Sequence, residues 1–400
     1  MIFKLVGKHQ HYDWGGSNFI PNWLKLDKTE DKPYAEYWLG AHRSAPSLIE
    51  VDGKWVSLDQ MIDKHPEILG EQARQKFGDE LPYLLKILDV KLPLSIQLHP
   101  TKSEAERGFE RENQFGIALN APNRTYKDRN HKPEMMIALS DSWLLHGFRT
   151  LAGMKDALSR HESLKPLANA IDAKGLPAVY AEIMRADQAQ LAQWLLPVIQ
   201  AKREEYQQGK LKLDDPDYWV LYAMESMAIS EERLDAGLLC FYLFNIVNVK
   251  KGEGIYQGAG LPHAYLRGQN IELMAASDNV IRGGLTPKYV DIPALLNSID
   301  YSEVIPKLIP AYDGEETLHL YPTPEAKDFA MQRLEFKPFD EEEFIATSAS
   351  ILLVMAGSLY IDLGEDAIHL TQGESVFISA NSKVDIIGET DGYAVIATLP

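Results

Sequence analysis

The 400 residues, 45% hydrophobic and 10% aromatic, suffice for two or three domains with sizeable cores. With 58 acidic against 40 basic side chains the net charge is −18, which argues against the basic face that nucleic-acid binding requires. Cys240 is the only cysteine, no run approaches the roughly 18 apolar residues needed to span a bilayer, and MIFKLVGKHQHYDWGG lacks an apolar h-region; a cytoplasmic protein with no signal peptide and no membrane contact is expected.

Residues 1–148 combine turns and aromatics with short β-like runs at 1–6, 35–39, 83–90, 94–99 and 132–139, and helical pieces at 57–64 and 103–113. In the run 94–99, Leu94, Ile96 and Leu98 point one way while Ser95, Gln97 and His99 point the other. In KPEMMIAL, Lys132, Glu134 and Met136 share one face and Met135, Ile137 and Leu139 the opposite one; Pro133 is tolerable near a strand's start. A strand with one apolar face and one face of polar groups suits the wall of a polar cavity. From about 151 to 233 the period becomes helical. Leu158, Leu164 and Leu167 fall at helical spacings, and 187–209 opens on an acid and stops at Gly209, with Pro197 predicting a kinked helix or two helices. A further helix is expected at 215–227. This block has no chemical motif, and a helical insertion between two halves of a β domain is the simplest account.

Turn-rich β texture resumes at Asn245 and continues to the end, as in jelly rolls and barrels. Within it, KKGEGIYQGAGLPHAY (250–265) aligns without gaps to TQGESVFISANSKVDI (371–386). Gly252 matches Gly373, Glu253 matches Glu374, Ile255 matches Val376, Tyr256 matches Phe377 and Ala259 matches Ala380, while His263 falls opposite Val384. Two copies of one hairpin, of which only the first keeps a ligand, are expected; two unrelated hairpins are the alternative.

Gln97, His99, Glu134 and His263 offer two imidazoles, one carboxylate and one amide oxygen, a set that suits a first-row divalent metal with a position left for substrate. Against this stands the ordinary role of a histidine in a Gly-Pro-rich loop, which is a surface or capping residue. In 271–291, Arg282 precedes Gly283-Gly284 and Lys288 follows Pro287. These cations either grip a phosphate or polarise a carbonyl, or they are solvated turn charges.

The run Tyr126–Glu134 (YKDRNHKPE) resembles the signature of the type I phosphomannose isomerase family. SIQLHP (95–100), PHAY (262–265), MAASDNVIR (274–282), LTPK (285–288), YDWG (12–15) and AEYWLGAH (35–42) resemble further blocks of that family, in order from 12 to 291. The resemblance implies a mainly β fold with an all-α insertion, namely two cupin-type (jelly-roll) β-barrels plus a helical domain. On this chain that gives a discontinuous catalytic barrel at 1–148 and 236–320, a helical insertion at 149–235, and a metal-free barrel at 321–400. It further implies an enzyme of mannose metabolism and GDP-mannose biosynthesis that interconverts mannose 6-phosphate and fructose 6-phosphate through a cis-enediol(ate). One Zn²⁺ per chain would be held by Gln97, His99, Glu134 and His263. Arg282 would be the functional arginine, with Ser95, Lys102, Lys132, Tyr265, Glu272, Asp278 and Lys288 lining the pocket. Glu272 is the candidate base, a satisfied wall carboxylate being the alternative, and Lys132 is expected to position a substrate hydroxyl. A sugar phosphate is the expected partner and a monomer the expected state. Another metal-dependent cupin enzyme, epimerase or oxygenase, and a non-catalytic sugar-phosphate-binding cupin are the competing classes.

Overall fold

In the computed structural model, which describes residues 1–27, 30–323, 325–364 and 366–400, three antiparallel sheets share the chain with a helical block. The backbone of the eleven-stranded sheet is the strand His263–Ala275. Its second half lies between Tyr83–Val90 and Glu134–Ala138, and its first residues pair with Ser142–Phe148 and Gln97–Leu98. One strand can serve both sets of neighbours because it bends at Gly268, where φ is +118° and a Cβ would run into Ser142.

Alternation then sorts the two faces. Met135, Ile137, Leu85, Ile87, Ile271 and Leu273 face outward into a core shared with Ile351, Leu353, Phe377 and Val395 of an eight-stranded sheet. The opposite face carries Glu134, Glu272 and Lys86, which stand at matched positions across three neighbouring strands or two residues from one. The eight-stranded sheet is apolar on both sides, since Leu352 and Val354 pack against a four-stranded sheet carrying Phe344, Ile361, Val384 and Ile386. Hence the continuous run SILLVMA in the strand Ser350–Ala356, as burial on both faces requires.

Ile2–Val6 joins that eight-stranded sheet, pairing with Ser375–Ile378 on one side and Leu48–Val51 on the other. Strands from the first 60 residues therefore complete a layer otherwise built from 318–398. None of the three sheets closes on itself.

The helical block contains the helices Leu151–Ser159, Lys165–Lys174, Leu176–Met184, Gln188–Gln207 and Pro216–Ser226. Leu158, Leu164 and Leu167 enter one core with Leu98, Leu145 and Leu266 of the sheet. One helix runs through Pro197, so of the two expected outcomes, a kinked helix or two helices, the break into two is the one corrected. The block is also clasped to the central strand through Arg267, whose guanidinium sits 5.7, 5.4 and 4.7 Å from the rings of Tyr218, Trp219 and Tyr222. The expected strand 94–99 shrinks to Gln97–Leu98, because Pro93 and Pro100 have no N–H and Leu94 and Ile96 bond instead to Tyr265 and Gly284.

Two copies of one turn are present. Gly252 and Gly373 have φ of +89° and +87°, each donating at 2.8 Å to the neighbouring strand, to Ala138 O and Val354 O respectively. Glu253 and Glu374 each accept through the side chain from the residue three back, Lys250 N at 2.8 Å and Thr371 N at 2.7 Å. The strands Gly254–Gln257 and Ser375–Ile378 follow.

Candidate metal centre

Cross-strand pairing assembles the cluster. Gln97 lies directly opposite both His263 and Arg282, so these three side chains leave the same face. Glu134 opens the next strand, and His99 follows Leu98 on the short one. His99 Nε2 lies 3.2 Å from Glu134 Oε1, and His263 Nε2 lies 3.3 Å from Glu134 Oε2. All three residues are at most 1% exposed.

The second ring nitrogens fix the tautomers. His99 Nδ1 donates to Asn279 O at 2.7 Å and His263 Nδ1 to Leu261 O at 2.8 Å, which leaves a lone pair on each Nε2. Burial lowers the His99 pKa to about 4, so the ring is neutral near pH 7. Glu134 is held well below the usual carboxylate range: burial opposes its charge, but Lys132, 3.2 Å away, and the two imidazoles outweigh it. His99 Nε2, His263 Nε2 and Glu134 Oε2 have no hydrogen-bond partner among the described residues. Three buried acceptor atoms thus converge, an arrangement that costs several kcal/mol unless a cation is shared. These residues can hold a metal ion, and the donor set of two imidazoles and a carboxylate fits zinc. Gln97 is half-buried on the same face, its amide without a partner among the described residues.

Beside the cluster lies a buried network of charged and polar side chains. Glu272 accepts from Tyr265 Oη at 2.7 Å and sits 3.5 Å from Lys86 Nζ. Burial, then the Glu134 charge, pushes its carboxyl up to about 7. Lys86 is also 3.4 Å from Glu36 and 4.8 Å over the Trp38 ring; burial disfavours its charge, but Glu36 and Glu272 hold it protonated. Sequence reasoning missed Lys86 and Glu36. The signal was there in YLLKILDV, since a lysine inside an apolar strand has to meet a carboxylate.

The remaining expected residues fall into two groups. Asp278 pairs with His42 at 2.9 Å on a groove of about 360 Å³ also lined by Lys102, Asn130 and Arg129. Lys102, exposed at a helix start, donates to Asn130 at 3.3 Å. His42 in turn sits edge-on to Trp38, with ring centroids 4.9 Å apart. Arg282 is half-buried, and its guanidinium has no hydrogen-bond or ion-pair partner among the described residues. Burial pulls its pKa down, but not far enough to discharge an arginine. Ser95 is half-buried and Lys288 exposed on the turn beyond Arg282.

The signature itself works as a clip. Asp128 accepts from Ser277 Oγ at 2.9 Å and Asp278 N at 2.8 Å, while the buried Asn279 side chain accepts from Lys127 N at 2.6 Å and donates to Asn130 O at 2.8 Å. The same Asn279 supplies the carbonyl that orients His99.

Fold and site together define a class: a metalloprotein of antiparallel sheets whose buried single-metal cluster is flanked by paired carboxylates and lysines. Residues 2–151 match the family model for the phosphomannose isomerase type I catalytic domain. Over the chain's length, mannose-6-phosphate isomerase of Escherichia coli K12 is 34% identical (94% of this chain, 95% of that protein), and the Homo sapiens enzyme of the same name is 30% identical (96% and 95%). The crystal structure of an E134A mutant of phosphomannose isomerase from Salmonella typhimurium superposes with a TM-score of 0.89 at 31% identity, covering 100% of this chain and 99% of that one. A zinc-bound mannose 6-phosphate isomerase does so at 0.87, with the same identity and coverage. The chain belongs to the type I phosphomannose isomerase family.

Proposed function

We propose that this chain is a zinc-dependent aldose–ketose isomerase that interconverts mannose 6-phosphate and fructose 6-phosphate. The observation that carries the proposal is the convergence of three buried acceptor atoms beside a carboxylate of raised pKa. His99, Glu134 and His263 would hold the zinc, with Gln97 as fourth ligand from the same sheet face. When bound, zinc supplies a net positive charge of about one beside the substrate oxygens, since only one ligand is anionic.

The chain's own groups do the rest. Glu272 removes the C2 proton of the open-chain aldose and returns it to C1 of the cis-enediol(ate), while a proton leaves O2 and one is gained at O1; the reverse direction retraces these steps. Lys86 and Tyr265 hold Glu272 in place. Lys132, anchored on Glu134, positions a substrate hydroxyl. Arg282, with no carboxylate of its own, meets the enediolate charge or the phosphate, and Ser95, Lys102 and Lys288 complete the anion-binding wall with Asp278 at its rim.

Two cupin-type barrels are the architecture we assign: 1–148 with 236–320 as the catalytic unit, 149–235 as a helical insertion, and 321–400 as a metal-free copy. The repeated turn supports this, as does Val384 standing buried in an apolar core where the first copy places His263. A cytoplasmic monomer acting in mannose metabolism is the corresponding setting.

The test is turnover of mannose 6-phosphate coupled to detection of fructose 6-phosphate, before and after chelation. Activity is expected to vanish on chelation and return with one equivalent of zinc. A metal-free protein of undiminished turnover overturns the reading.

A further inference from the structure

The segment bearing Arg282 and Lys288 is held from two sides. On one side it follows the metal-site strand: Arg282 opposes Gln97, Gly283 N donates to Ile96 O at 2.7 Å, and Ile96 N donates to Gly284 O at 3.0 Å. On the other side stands Asp235, where the helical block returns to the sheet. Its Oδ1 accepts from Gly237 N at 2.7 Å and Leu285 N at 2.9 Å, and its Oδ2 from Thr286 N at 3.1 Å. The bond to Gly237 is an ordinary cap for the short helix Ala236–Leu239. The other two reach across about fifty residues and serve only the arm.

That arm needs holding. Leu285 has φ of +52° and Gly284 of +117°, conformations that side-chain-bearing residues avoid. Gly284 also meets Gly237 backbone to backbone: a Cβ on Gly284 would come within 2.7 Å of Gly237 Cα, and one on Gly237 within 2.6 Å of Leu285 N. Beyond the clamp, Lys288 N donates to Thr286 Oγ1 at 3.1 Å, so the position of Thr286 sets the start of Lys288.

Resting on the isomerase reading, we propose that Asp235 is a positioning residue for substrate binding. From the end of the helical block it fixes the path Leu285–Lys288, and with it the two cations, Arg282 and Lys288, that meet the anionic sugar. The carboxylate touches no substrate; it holds backbone N–H groups that otherwise drift out of register with the Gln97 strand.

The experiment compares Asp235→Ala, Asp235→Asn and Gly237→Ala with wild-type holoenzyme. Asp235→Ala is expected to raise KM for mannose 6-phosphate at least tenfold and to weaken inhibition by inorganic phosphate by a similar factor, with kcat changed less than threefold and zinc content unaltered. Asp235→Asn keeps one acceptor oxygen for Gly237 and Leu285 and should recover most of the loss. Gly237→Ala keeps the Asp235 side chain but presses on both its Oδ1 and the Leu285 amide, and should raise KM as Asp235→Ala does. Asp217→Asn is the stability control, because it loosens the buried His161–Asp217–Tyr242 contact within the helical block; it should lower the melting temperature and leave KM alone. Unchanged KM in Asp235→Ala overturns the proposal, as does a KM that merely tracks melting temperature as in Asp217→Asn. Should Asp235→Ala not fold, unchanged KM in both remaining variants overturns it equally. Calorimetric titration of inorganic phosphate needs no turnover, so a wild type that bound phosphate without isomerising would sink the isomerase reading alone.

Discussion

Glu272 and Glu134 are both fully buried carboxylates of the same sheet face, yet their surroundings drive their pKa values apart. Separated values assign separate roles, one group for proton transfer and one for holding charge. Glu272 must be ionised to accept a proton from carbon, so kcat/KM should climb tenfold per pH unit on the acid side of its pKa and level off above it. Zinc on Glu134 cancels the second-largest contribution to the shift, so the limb is expected between the ordinary 4.5 and about 7. A limb above 7, or the same limb surviving in Glu272→Gln, would remove Glu272 from the role; that variant should lose at least 100-fold in kcat. Lys86→Ala leaves Glu36 and Glu272 buried without their shared cation and should cost a few kcal/mol in stability as well as activity, measurable by urea unfolding of the zinc-loaded protein. Asn279→Leu deletes the side-chain bonds that seat the carbonyl behind His99. Zinc affinity should fall about 10- to 100-fold in competition with a chromogenic chelator, and an unchanged affinity would show that His99 needs no such support.

At the scale of elements, alternation and turn chemistry made much of the sheet legible. The strand Tyr83–Val90 has the predicted bounds, the polar and apolar faces of Glu134–Ala138 are as expected, and the Gly-Glu turn recurs with the same φ sign and hydrogen bonds. Glu134 could be named from the polar face of 132–139, and His263 from its place in the Leu-Pro-His loop after the first copy of the repeated hairpin. The three acceptors that converge in the structure were picked from separate blocks, but their convergence is a fact of cross-strand register, which one sequence does not print. Lys86 escaped for the same reason: its partners Glu36 and Glu272 lie 50 and 186 residues away. Pro197 does not divide its helix, because a proline costs a helix one bond and one clash, a loss that packing of Leu195, Val198 and Ile199 offsets. The clasp around Arg267 was equally hidden; Arg267→Ala should lower stability by about 1–2 kcal/mol in chemical denaturation while KM stays put, since no group near the metal is touched.

On the scale of the whole molecule, a net charge of −18 sets the cost of binding an anion. Most basic side chains near the site are already engaged, Arg43 with Asp63, Arg129 with Glu110 and Lys132 with Glu134. Arg282 stands apart from these because its half-buried charge is unspent. Raising ionic strength screens the repelling background but also this attraction, so the association rate for sugar phosphate should change less with salt than for a protein whose site is its only charged patch. Residues after 320 also reach the signature run, where Asp328 contacts His131 at 2.7 Å. Removing 321–400 would take away that contact and uncover the outer face of the catalytic sheet, so the truncated chain is expected in the insoluble fraction; a soluble, zinc-loaded fragment would show the catalytic unit to be self-sufficient.

The strand Ile2–Val6 is the first to leave the ribosome, yet its hydrogen-bonding partner Ser375–Ile378 is among the last. At roughly 5–20 residues per second, the interval between them is on the order of 20–75 s. From their own synthesis until the end of that interval, the apolar backs of Glu134–Ala138 and His263–Ala275 lack Ile351, Leu353, Phe377 and Val395 to pack against. Its yield in cells should therefore depend on holdase chaperones more steeply than its finished stability would suggest.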